Sequence, residues 1–110
     1  MPINCFNSSK LREIEVKGEE LTSIEEGAFY KCQELSAISL PSGIKQIQKN
    51  AFYDCESLTS FAFNDSLTSI GANSFYGTSI EEAIFSNSSS LRISLNAFAN
   101  TEKLAYIQFD

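Results

Sequence analysis

The sequence predicts a solenoid of stacked parallel β-strands, on three observations. A phenylalanine returns at Phe6, Phe29, Phe52, Phe75 and Phe98, each 23 residues after the last. Such a fixed period marks a repeat array rather than a conventional globular domain. The residue before each of these is small, at Cys5, Ala28, Ala51, Ser74 and Ala97, as expected where one coil's backbone packs close to the next. Downstream of each Phe comes an apolar-x-x-apolar-x-apolar group whose last two members alternate with polar or small residues, the period-2 signature of a half-buried strand.

Taken in order, these groups are Leu11/Ile14/Val16, Leu35/Ile38/Leu40, Leu58/Phe61/Phe63, Ile80/Ala83/Phe85 and Leu104/Ile107/Phe109. Five such strands, one per coil, should lie side by side in one parallel sheet of roughly 19 Å, at about 4.8 Å between neighbours. A branched apolar column stands five positions before Phe, at Ile24, Ile47, Ile70 and Ile93, with Met1 in that place for the first coil. Between Phe and the next strand, Tyr30-Lys-Cys-Gln-Glu34 and Tyr53-Asp-Cys-Glu-Ser57 are too short for a full α-helix and predict single helical or 3-10 turns. The opposite corners, Lys17-Gly18-Glu19-Glu20, Pro41-Ser42-Gly43, Asn64-Asp65-Ser66 and Ser86-Asn87-Ser88-Ser89-Ser90, have turn compositions.

Two coils are irregular in a compensated way. Phe6 to Leu11 and Phe75 to Ile80 are five apart where the other coils use six, and the missing residue returns after the strand. Circumference is thereby kept, as stacking demands. In the fourth coil the apolar residue after the corner is Leu91 rather than Ser90, which predicts a local bulge. The chain reads as a single array over residues 1–110, about four and a half repeats, and as a segment of a longer one.

Composition narrows the function. The formal charge of −6 argues against phosphate-backbone binding, which needs clustered Lys and Arg. Histidine is absent, which removes the commonest general base and transition-metal ligand. No glycine-rich phosphate loop and no nucleophile with a plausible base is present, so no enzyme activity, cofactor or metal is expected. No apolar run is long enough to insert into a membrane, and Met1-Pro-Ile-Asn-Cys-Phe6 lacks the basic and long apolar parts of a signal peptide.

Written out as L-x-x-I-x-x-x-A-F-x-x-C-x-x-L-x-x-I-x-L-P, the repeat resembles the BspA-like, or Treponema-type, leucine-rich repeat family. Ala28-Phe29, Cys32, Leu35, Ile38, Leu40 and Pro41 carry the resemblance, and Ala51-Phe52, Cys55 and Leu58 repeat it. Later coils depart at the Cys column, with Thr78 and Thr101, and one coil alone keeps the proline. The resemblance implies a curved leucine-rich-repeat solenoid, a cell-surface or secreted setting, and a role in adhesion or macromolecular binding.

Individual side chains have ordinary readings. Cys32, Cys55, Thr78 and Thr101, with Ser9 in the first coil, form a column of small donors expected to point inward and satisfy backbone carbonyls. A Cys32–Cys55 disulfide is within reach but not favoured, all three thiols being explained by repeat position. The Phe column is core. Tyr30, Tyr53 and Tyr76 either pack against neighbouring coils with the hydroxyl in water or form an exposed aromatic strip. The acidic pairs Glu13/Glu15, Glu19-Glu20, Glu25-Glu26 and Glu81-Glu82 lack the spacing of a calcium loop and read as a solvated face. The triplets at Asn7, Asn64 and Asn87 are glycosylation acceptors or turn chemistry.

Alternation then writes down the outer face of the sheet: Glu13, Ala37, Ser60, Glu82 and Tyr106 in one row, Glu15, Ser39, Ala62, Ile84 and Gln108 in the next. Ile84 and Tyr106 are apolar groups there without a core role. The expected binding site for a protein or other macromolecule is therefore Glu82, Ile84, Tyr106 and Gln108. Terminal coils without polar caps also predict end-to-end association of copies.

Overall fold

The computed structural model of the chain describes residues 12–18, 20–85 and 91–109. Eight short strands stack as parallel pairs: β1 (Glu13–Glu15), β2 (Ser23–Ile24), β3 (Ala37–Ser39), β4 (Gln46–Ile47), β5 (Ser69–Ile70), β6 (Glu82–Phe85), β7 (Arg92–Ile93) and β8 (Tyr106–Phe109). Each coil supplies one segment to each of three sides: the expected strand row, a second strand row at the Ile column, and a row of turns around Phe.

The second strand row was not expected from alternation, since each strand is only two residues long. It is also the more regular. Ile24, Ile47, Ile70 and Ile93 pair in register along β2-β4-β5-β7. Ile24, Ile47 and Ile70 are buried, leaving the preceding Ser23, Gln46, Ser69 and Arg92 on the outside.

The turn row contains no helix among the described residues, contrary to the helical or 3-10 turns expected. A 3-10 helix needs successive right-handed residues. Here the residue two before each Phe and the residue two after it are left-handed: Gly27, Asn50, Asn73 and Asn96 on one side, Lys31, Asp54, Gly77 and Asn100 on the other. All of them but Asn100 end a turn after one i-to-i−3 bond, such as Cys32 N–H to Phe29 C=O at 3.1 Å. The freed donors reach the next coil instead. Phe29, Phe52 and Phe75 donate to Ala51, Ser74 and Ala97, at 2.7 to 2.8 Å. Gly, Asn and Asp tolerate that conformation best, so seven of the eight positions were legible in the sequence as a recurrence at a fixed offset from Phe.

Phe29, Phe52, Phe75 and Phe98 form a continuous stack at 5.1, 5.2 and 5.3 Å between centroids. This is the core column expected; Phe6 lies outside the described residues. The Ile and Leu columns close around it, and Leu35, Ile44, Ile47, Leu58, Ile70 and Ile80 are fully buried.

The expected five-stranded sheet is replaced by three pieces. β1 pairs with β3, β6 pairs with β8, and between them coil three contributes a single bridge, Ala37 to Ser60. Phe61–Phe63 joins no ladder. The physical reason lies in what those positions carry. Where other coils place Ile38 or Ala83, Phe61 drives its ring edge-on against Phe52 and Phe75, at 5.3 and 4.9 Å. Phe63 is held among Phe75, Phe85 and Phe98. Seating two large rings over an already stacked column displaces their backbone from strand alignment. The bulge expected before Leu91 falls on residues 86–90, outside the described residues.

Candidate functional site

The outer face of the interrupted sheet is built by register. Glu13 lies beside Ala37 and Glu15 beside Ser39; at the other end Glu82 lies beside Tyr106 and Ile84 beside Gln108. Every residue of the two expected rows is exposed except the half-buried Ala37. The four expected site residues therefore form one contiguous patch on β6 and β8. Ile84 is 37% exposed and Tyr106 46%.

The patch has internal order. Tyr106 Oη donates to Glu82 Oε2 at 2.7 Å. That bond raises the phenol's pKa above its ordinary value, with the carboxylate charge and some burial adding to it, so the hydroxyl keeps its proton. Two side chains of a cross-strand pair are thus held together on the exposed face.

Beside the patch lies a feature alternation did not foresee. Ser79 N–H donates to Leu58 C=O at 3.0 Å, and beyond it no main-chain hydrogen bond joins Ser60–Phe63 to β6 among the described residues. The gap opens two adjoining hollows, of about 270 and 300 Å³, which share Phe61 and Glu82. Its signal in the sequence was the pair of phenylalanines at 61 and 63, where the other coils carry at most one ring.

The inward column of small donors holds in part. Cys55 Sγ donates to Phe29 C=O across the coil boundary at 3.0 Å, while Thr78 Oγ1 and Thr101 Oγ1 donate to the Phe carbonyl of their own coil. Burial pushes the Cys55 thiol up to about 12. Cys32 departs from the reading of three explained free thiols, because it is disulfide-bonded. Cys55 is free, and Cys5 lies outside the described residues.

Tyr30, Tyr53 and Tyr76 are half-buried and stacked at 5.1 and 4.8 Å. Their faces are turned on one another, so the packed alternative holds and no open aromatic platform results. Asn64 Oδ1 accepts from Ser66 N–H at 2.9 Å, which is turn chemistry. Asn7 and Asn87 lie outside the described residues. No three His, Cys, Asp or Glu side chains converge as a metal set among the described residues.

Coils of equal girth, parallel strands and an exposed sheet face define a leucine-rich repeat solenoid, a class of fold that generally serves as a scaffold for protein interaction. Two solved structures superpose on it. A leucine-rich repeat protein from Bacteroides ovatus matches with a TM-score of 0.83 and 29% identity over 92% of this chain. The T. pallidum leucine-rich repeat protein matches with a TM-score of 0.83 and 25% identity over 96%. The chain spans 26% and 51% of the length of those two proteins. The family profile described as BspA type leucine rich repeat region matches residues 1–110 in 6 copies. The chain belongs to the BspA-type leucine-rich repeat family. No curated protein of assigned function matches the sequence.

Proposed function

We propose that this chain is a non-catalytic interaction module that binds a macromolecular partner, as an adhesive surface does, through the β6–β8 end of its sheet face. The carrying observation is the exposure of Ile84 and Tyr106 beside each other's strands, with Tyr106 tied to Glu82. Neither side chain fills the core, and side by side they give a partner adjoining apolar surface. A cell-surface or secreted setting accords with the disulfide at Cys32, since disulfides persist in oxidising compartments.

The test compares the parent with an Ile84→Ala/Tyr106→Ala variant on one extract of surface proteins. A partner retained by the parent and lost by the variant, at unchanged Tm, supports the reading. Equal retention by both sinks it.

A second reading is favoured by one observation. In the last described coil, Ile93, Ile107 and Phe109 are exposed, Phe109 to 55%, although the matching positions of inner coils are mostly buried. Contact with another copy would cover them and extend the solenoid end to end. Light scattering over a range of concentrations checks this, and a strict monomer removes it.

A further inference from the structure

We infer that the gap between coils three and four is an anchor site for a partner segment that pairs an apolar side chain with flanking Lys or Arg. This rests on the sheet-face reading above and specifies its partner. Four features of the gap carry it.

The first is size. Small-molecule sites run to roughly 300–1,000 Å³ and are enclosed, whereas these two hollows, at about 270 and 300 Å³, lie at the bottom of that range and open to the face. Their scale is that of single side chains. The second is lining. The half-buried Phe61 lines both hollows; Ala62, Phe63 and the exposed Ile84 add carbon to one, while Thr59, Ser60, Glu81 and Glu82 make the other mainly polar. An aromatic or aliphatic side chain placed in the first buries carbon against carbon.

The third is the backbone. Along the other two sides of the solenoid, neighbouring coils satisfy each other through the β2-β4-β5-β7 ladder and the Phe-turn bonds, and on the face row coil three keeps one bridge to coil two, Ala37 to Ser60. Here, among the described residues, the main chain of Phe61–Phe63 is in no ladder and β6 pairs with β8 alone. Unpaired main-chain donors and acceptors beside a hollow of mixed carbon and carboxylate lining are what an extended segment can use.

The fourth is charge. Glu81 and Glu82 stand at the rim, no Lys or Arg lines either hollow, and the chain carries −6 overall. Glu82 Oε2 accepts from Tyr106, but a carboxylate has further lone pairs, and Oε1 is available to a cation. Acidic segments are repelled at the same rim, which makes the sign of charge a selectivity element.

The experiment uses the whole chain with three capped tripeptides, Lys-Phe-Lys, Glu-Phe-Glu and Lys-Ala-Lys, followed by amide chemical shifts. Lys-Phe-Lys is expected to shift Ala62, Phe63, Glu82 and Ile84, and more weakly as salt rises. Glu82→Gln should weaken that binding about two- to five-fold, the worth of one exposed ion pair, and Ile84→Ala should weaken it without lowering Tm. Lys-Ala-Lys should shift the same amides less, and Glu-Phe-Glu not at all. Equal shifts from Lys-Phe-Lys and Glu-Phe-Glu overturn the charge selection. No shifts at these amides with any peptide overturn the anchor site. In either case, a partner still lost in the Ile84→Ala/Tyr106→Ala comparison leaves the sheet-face function standing, so the two failures are separable.

Discussion

The two strand rows of this solenoid share one period and differ in continuity. The Ile row runs unbroken through β2, β4, β5 and β7, with the same residue at every coil. The face row is cut where its inward position passes from Ile38 to Phe61 to Ala83. Equal coil length keeps both rows stacked, but the volume of the inward side chain decides whether neighbouring backbones come close enough to pair. A uniform column gives a ladder; a column that alternates between a ring and a methyl gives an opening.

The largest way to break this contrast is to remove the spine that both rows share. Phe52→Ala deletes a ring stacked between Phe29 and Phe75 and met edge-on by Phe61. It should cost about 3–5 kcal/mol, read from urea unfolding, and a protein that unfolds like the parent would contradict the shared core. At the end of β5 in the unbroken row, Gly71 lies against the backbone of the preceding coil. A Cβ there would lie 2.5 Å from Lys49 N and 2.7 Å from Gln48 C, both main-chain atoms. Gly71→Ala should therefore cost about 1–3 kcal/mol by overpacking, with lost amide protection at Ser69–Gly71.

Alkali should act through Cys55. Its folded thiol stays protonated up to about 12 against an ordinary 9.0, so between those values the unfolded chain has released a proton that the folded chain still holds. Stability is then lost as pH rises through that window. The loss should be smaller in Cys55→Thr, which carries the residue found at Thr78 and Thr101, and comparing Tm against pH for the two proteins checks it.

A smaller change should run the other way. Ser74 Oγ is buried without a hydrogen-bond partner in the column where Ala28, Ala51 and Ala97 stand. Ser74→Ala removes an unsatisfied group and should stabilise by about 1 kcal/mol. The most local readout comes from Phe61→Ile, which gives the face row the residue of Ile38. Hydrogen exchange should then slow at Phe61–Phe63 and along β6, and unchanged exchange would show that ring volume is not what opens the gap.

Much of the architecture and part of the candidate site were legible residue by residue. The recurring Phe, the small residue before it and the alternating apolar positions specified stacked coils, and register placed Glu82 beside Tyr106 and Ile84 beside Gln108, as alternation required. The left-handed turn positions were also written in the chain as recurring Gly, Asn and Asp, although their effect, replacing 3-10 turns with single turns bonded to the next coil, was not. Lys31 adopts the same conformation with no such signal, because the coil bonds around it impose the angle.

By itself, the sequence determined the period, the columns and the direction each column faces, because these depend on spacing along one chain. Whether adjacent coils pair, and where they part, depended on how rings from different coils share space. Phe61 meets Phe52 and Phe75, and Phe63 meets Phe85 and Phe98. Those contacts join residues 9 to 35 positions apart in the chain, so only the folded stack could decide them.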